Sequence, residues 1–151
     1  MLEDILRQIR TLLQNQLPGK LDQIELERAD GVTLEDIQSF FTQPQRDGRV
    51  RYPSITIIGE AATATNALSR RRELRHKISV WVTSREVSPD SELAQTKLRR
   101  YVEAIERILA SDPTQGGIAI DSVISSHVYP FKGEEEFIRR AVLIIEVMER
   151  P

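Results

Sequence analysis

A chain of 151 residues with 40% hydrophobic and 29% charged content has room for one domain with its own core. A formal net charge of −2 gives no global attraction to nucleic acid, and the absence of cysteine excludes disulfides, thiolate zinc sites and thiol nucleophiles. No apolar run approaches the roughly 20 residues of a membrane-spanning helix, and Met1 to Arg7 has no basic segment ahead of an apolar core, so neither a span nor a signal peptide is expected.

Leu2, Ile5, Leu6, Ile9, Leu12 and Leu13 fall on one face of a helix, with Arg7, Gln8, Arg10 and Gln14 on the other. The pattern predicts an amphipathic helix over 2–14, stopped by Leu17, Pro18 and Gly19. Lys20 to Arg28 alternates weakly, Ile24 and Leu26 against Glu25 and Glu27, and is read as a strand. Asp30 and Gly31 make a turn. Thr33 is then the cap of a short helix that turns Leu34, Ile37, Phe40 and Phe41 inward. Residues 43–49 are polar and punctuated, hence a loop. Tyr52 and Pro53 open a strand through Ile58, with Ile55 and Ile57 on one face. Gly59 to Arg72 has no apolar face and reads as a long, mobile connection.

The alternation from Leu74 to Thr83 is the clearest strand signal. His76, Ile78, Val80 and Val82 share one face; Arg75, Lys77, Ser79, Trp81 and Thr83 share the other. Ser88 and Pro89 start a long helix. Its stripe is Leu93, Ala94, Leu98, Tyr101, Val102, Ile105, Ile108 and Leu109, and Asp112 with Pro113 ends it. Ile118 to Tyr129 and Phe137 to Glu149 are strands joined through an acidic turn at 133–136. Ala141 to Ile145 is apolar on both faces, which predicts a central strand covered on both sides. The summed pattern is α+β: one domain over 1–151, with a single sheet of at least four mainly antiparallel strands and the long and N-terminal helices packed on it.

Reaction chemistry is sparse. Of the two histidines, His76 lies among apolar neighbours with no acid on its face, and a packed histidine is the simpler reading. His127 follows Asp121 by six residues on the same strand face, roughly 20 Å away, too far for a dyad. Ser126 and His127 point to opposite faces, and no glycine-flanked serine elbow exists, so nucleophilic catalysis is not expected. Neither is a cofactor or a metal. The contiguous carboxylates Glu134, Glu135 and Glu136 lack the alternate spacing of a calcium loop, so a solvated turn is preferred.

Surfaces remain. Arg70, Arg71, Arg72, Arg75 and Lys77 form the one dense basic run; they are suited to a phosphate, to a solvated strand end, or to the Glu134–Glu136 turn of another copy. Trp81, the single tryptophan, either lies under the N-terminal helix or anchors an interface.

The order of elements resembles that of the tail terminator and tail-completion proteins of tailed bacteriophages. An amphipathic helix leads to the strand Tyr52–Ile57, a long connection, the strand His76–Val82, the helix Leu93–Leu109 and two closing strands, the last Arg140–Val147. The resemblance covers most of the chain and rests on order and spacing, with no motif-defined active residue to transfer. It implies a non-enzymatic structural protein of the virion tail or neck, assembled in the host cytoplasm. It also implies a ring of identical subunits, commonly a hexamer, that caps the tail tube and offers a surface for head joining. The implied partners are the chain itself, the tail tube and the neck proteins, with no membrane and with DNA only in passage through a ring lumen. A neighbouring neck or head–tail connector protein and a small protein-binding adaptor are the alternatives.

Overall fold

The computed structural model describes residues 2–43, 50–66, 72–85, 91–111, 121–128 and 138–149. In chain order these form helix α1 (Leu2–Arg28), strands β1 (Ser39–Phe41), β2 (Ser54–Asn66) and β3 (Arg72–Arg85), helix α2 (Ser91–Ser111), and strands β4 (Asp121–Val128) and β5 (Ile138–Glu149). The strands make one five-stranded sheet in the order β1-β2-β3-β5-β4. β1 runs parallel to β2, and every other neighbouring pair is antiparallel. The architecture is the α+β sheet with two packed helices that the sequence predicts.

Both helices lie on the same face of the sheet. Ile55, Ile57, Ile78, Val80, Val82, Leu143, Ile145 and Val147 point to that face and are fully buried in one cluster with both helices. The register explains the sharing of a face: Ile57 pairs with Val80 and Val80 with Leu143, while Ile78 pairs with Ile145. Leu98, Tyr101, Val102, Ile105, Ile108 and Leu109 form the buried stripe of α2, as their spacing predicts, whereas Leu93 is only half-buried. α2 is described to Ser111, and the expected stop at Asp112 and Pro113 lies outside the described residues.

Four local expectations are corrected. First, α1 does not stop at Leu17–Gly19 but continues to Arg28, through Pro18 and Gly19, and Lys20–Arg28 is helix rather than strand. The buried stripe Ile9, Leu13, Leu17, Leu21, Ile24 keeps its helical phase across the breakers. A proline and a glycine inside a helix cost about 3 and 1 kcal/mol. Burying Leu17, Leu21 and Ile24 returns roughly 1.5–3 kcal/mol each, so packing wins. Pro18 and Gly19 lie on the exposed side.

Second, Thr33 caps no helix: residues 32–38 are irregular and lead into β1. Leu34 is buried, and Ile37 and Phe40 pack on the core as expected, but Phe41 does not turn inward: β1 is a strand, so Phe41 pairs with Thr56 and faces the other side of the sheet from Phe40. Third, most of Gly59–Arg72 is not a connection. β2 runs to Asn66 and β3 starts at Arg72, the two paired from Ser54 with Thr83 to Asn66 with Arg72, with a bulge between Gly59 and Ala61. Gly59 also lets α1 approach: a Cβ there would come within 2.8 Å of Leu2. Fourth, β5 is interior, between β3 and β4, but its second face is not fully covered, since Val142 and Ile144 are half-buried.

Several expectations lie outside the described residues: the loop 44–49, the Ser88–Pro89 helix start and the acidic turn 133–136.

Candidate functional site: the open sheet face and the α1 groove

With α1 and α2 on one face, the second face of the sheet carries no helix among the described residues. The register builds three rows across it: Ser54, Thr83 and Arg140; Thr56, Trp81 and Val142; Ile58, Ser79 and Ile144. Thr56, Ile58, Trp81, Val142 and Ile144 are all half-buried, as is Phe41 beside Thr56. Trp81 therefore does not lie under α1, which packs on the other face. The Arg140 guanidinium stacks over its ring, 4.5 Å from the centroid. Arg140 Nε also donates to Thr83 Oγ1 at 3.3 Å. Ser79 is buried, and its hydroxyl donates to Glu60 Oε1 at 2.7 Å. Arg140, Thr83 and Ser79 are thus bonded on this face, and its aromatic and aliphatic groups are left half in water.

Past Gly59 the β2–β3 hairpin leaves the helix layer. Ala62, which pairs with buried His76 on the helix side, is itself exposed, as are Glu60, Arg75 and Lys77. Arg72 is the first residue of β3, opposite Asn66. Arg70 and Arg71 lie outside the described residues, as do Glu134, Glu135 and Glu136, so their proposed pairing between copies is left to experiment. His76 is a packed histidine at 5% exposure, opposite Val147. Position 127 registers with Leu143 and position 121 with Met148. The bulge between Ile124 and Ser126 shifts the alternation, so the two positions do not share a face as the unbroken pattern predicts.

At the other side of the helix layer, charged groups tie α1 to α2. Arg28 makes two hydrogen bonds to the Glu103 carboxylate, at 2.9 and 2.8 Å. Arg107 bridges Glu27 at 2.8 Å and Glu103 at 2.9 Å, the latter being the acid-first i,i+4 pair within α2. Arg100, buried along its stem, makes a two-pronged contact with Asp30. The hydrogen bond from Arg100 holds the Asp30 carboxyl down at about 2, and that from Arg107 lowers Glu27. Burial pushes the Tyr101 phenol upward; it donates to the Glu35 carbonyl at 2.8 Å. Sequence alone shows the Glu103–Arg107 spacing but not the two links from α2 to α1, through Arg28 and Glu27, nor the Arg100–Asp30 contact just past its end, which need the 27-residue helix to be seen first.

Two concavities flank this tie. A cavity of about 20 Å³ touches Glu35, Ser84, Lys97 and Tyr101. It has room for about one water and none for a substrate. An open groove of about 450 Å³ runs along the last turns of α1, lined by Asp22, Glu25, Leu26, Gly31, Val32 and Thr33. Leu26 is 81% exposed there. No group of three His, Asp or Glu side chains with metal-binding spacing occurs among the described residues. No known family model matches the chain, and no curated protein matches it.

Proposed function

We propose that the chain is a structural subunit that assembles with copies of itself into a ring, of the kind with which tail terminator and tail-completion proteins cap the tail tube of a bacteriophage. The observation that carries this reading is the sheet's second face, where Trp81, Val142, Ile144 and Ile58 are half-exposed in adjacent rows and no helix lies over them among the described residues. An apolar face on an otherwise well-packed domain is a contact waiting for a partner. The element order adds support: helix, short strand, long hairpin, helix, closing hairpin. Its partners would then be its own copies, the tail tube and the neck proteins, in a virion. The function needs shape and complementary surfaces and no catalytic group.

Exposed ion pairs contribute about 0–1 kcal/mol each, so they orient such a ring more than they hold it. Apolar contact must supply the affinity, with Trp81 as an anchor. Mass photometry across a concentration series, with electron microscopy of the largest species, tests the reading. The expected result is a closed ring of one copy number, shifted to smaller species by Trp81→Ala. A monomer at every concentration refutes it.

A further inference from the structure

We infer that the groove at the end of α1 is the seat for the basic segment of a second copy, residues 68–77, which includes the start of β3. This names one contact within the proposed ring and rests on that reading. The groove has the chemistry of a cationic, partly apolar ligand. Leu26 stands 81% exposed in its lining, with Val32 beside it. Around it the segment 21–36 carries Asp22, Glu25, Glu27, Asp30, Glu35 and Asp36 against the single cation Arg28. Two of these acids are already neutralised by α2: Glu27 by Arg107 and Asp30 by Arg100. Asp22, Glu35 and Asp36 are exposed and have no cationic partner among the described residues. The groove also sits at the negative end of the α1 dipole, where carboxylates are locally unfavourable and a cation is welcome. Leu26 and the local field both ask for the same ligand.

The complementary segment is on the same chain. Residues 68–77 hold Arg70, Arg71, Arg72, Arg75 and Lys77 against one acid, Glu73, with Leu68 and Leu74 among them. Arg75 and Lys77 are exposed on β3 beyond the helix layer. A groove and an arm are two different surfaces, and each copy carries both. That is the requirement for head-to-tail contacts that close a ring.

The test uses the full chain in two charge-reversed forms, Asp22→Lys and the double variant Arg71→Glu, Arg72→Glu. Asp22 is exposed, and circular dichroism and unfolding curves matching the parent are the control that each variant is folded. Each variant alone should self-associate about tenfold more weakly. Mixing the two restores matched charges at every contact and should return assembly to within about threefold of the parent, with alternating copies. Leu26→Ser should also weaken assembly without a loss of stability. If the parent forms a ring and the variants neither weaken it nor rescue one another, the groove is not the seat, although the ring stands. A parent that remains monomeric at all concentrations overturns both.

Discussion

Ile24 and Leu26 offer the sharpest test of how this chain folds, because two descriptions of the same nine residues assign them opposite fates. Alternation places both side chains on one face of a strand, where truncating either would cost a similar amount. In α1 they are about 200° apart. Ile24 is fully buried in the core and Leu26 is 81% exposed. Ile24→Ala should then destabilise the chain by roughly 2–5 kcal/mol, the cost of a buried aliphatic side chain plus the cavity it leaves. For a domain of this size that lowers Tm by roughly 4–20 °C. Leu26→Ala should stay within about 0.5 kcal/mol, since alanine is at least as good a helix former and little packing is lost. Equilibrium urea unfolding at a concentration where the chain is monomeric measures both, with an unchanged slope as the control that the end states are the same. A cost above about 1 kcal/mol for Leu26→Ala, or below about 0.5 kcal/mol for Ile24→Ala, would refute the continuous helix.

Four further outcomes are expected. Gly19→Ala should stabilise by about 0.5–1 kcal/mol in the same urea assay, because its Cβ would meet nothing within 4 Å and the backbone is helical. Ile105→Ala, at the fully buried centre of the α2 stripe, should cost roughly 2–5 kcal/mol, and a loss within the surface range would put the wrong face of α2 inward. Arg140→Ala should cost about 0.5–1 kcal/mol and change the emission of Trp81, the single tryptophan; an unchanged spectrum would show that the stacked pair does not form in solution. Asp30 has a folded pKa lowered to about 2, so its contribution is fully present above the unfolded carboxylate value near 4 and is lost as pH falls toward 2. The stability difference between the parent and Asp30→Asn should therefore shrink across that window, and a constant difference would disprove the Arg100 contact.

What could be read from the sequence was whatever packs by its own periodicity against the helix layer. β3 alternates because His76, Ile78, Val80 and Val82 are buried while Arg75 and Lys77 face water. α2 has an unbroken stripe because one side of it is core throughout. The misread elements are those where local signals and tertiary packing disagree. Pro18 and Gly19 are strong breakers, yet the stripe from Leu17 to Ile24 resumes in phase and carries the helix through. The segment after Gly31 has three-residue apolar spacing, but the Arg100–Asp30 contact and the Tyr101 bond to the Glu35 carbonyl hold it along α2, and β2 offers it an edge to pair with. Residues 60–66 have no alternating face because the hairpin has left the helices by then: Ala62 is exposed even on the helix side. Only backbone pairing makes that stretch a strand. Of the candidate contact residues, Arg75 and Trp81 could be found from composition and pattern. Arg140 could not, because its place over Trp81 depends on the β3–β5 register.

The misreading of β5 has its own physical meaning. Ala141 to Ile145 is apolar on both faces, the pattern of a strand with both sides covered. Among the described residues helices cover one: Ala141, Leu143 and Ile145 are fully buried on that side, whereas Val142 and Ile144 are half-buried beside Trp81. Full burial of a large apolar side chain is worth roughly 1.5–3 kcal/mol, so these three groups together leave several kcal/mol of hydrophobic driving force unspent in the single chain. A polar second face would have been the ordinary choice for a sheet that stays in water, with alternation as plain as that of β3 around Lys77. In the ring proposed above, the second face is the part of the core that a neighbouring surface completes, with Arg140 over Trp81 already ordering the anchor before contact. The charged groove and arm then select which neighbour and in what register, and the apolar rows hold it. Replacing Val142 and Ile144 with threonine separates these roles. It keeps the branched shape and the strand and should leave the monomer folded, while weakening assembly far more than any one charge reversal. Assembly that survives it unchanged would mean that some other surface holds the ring.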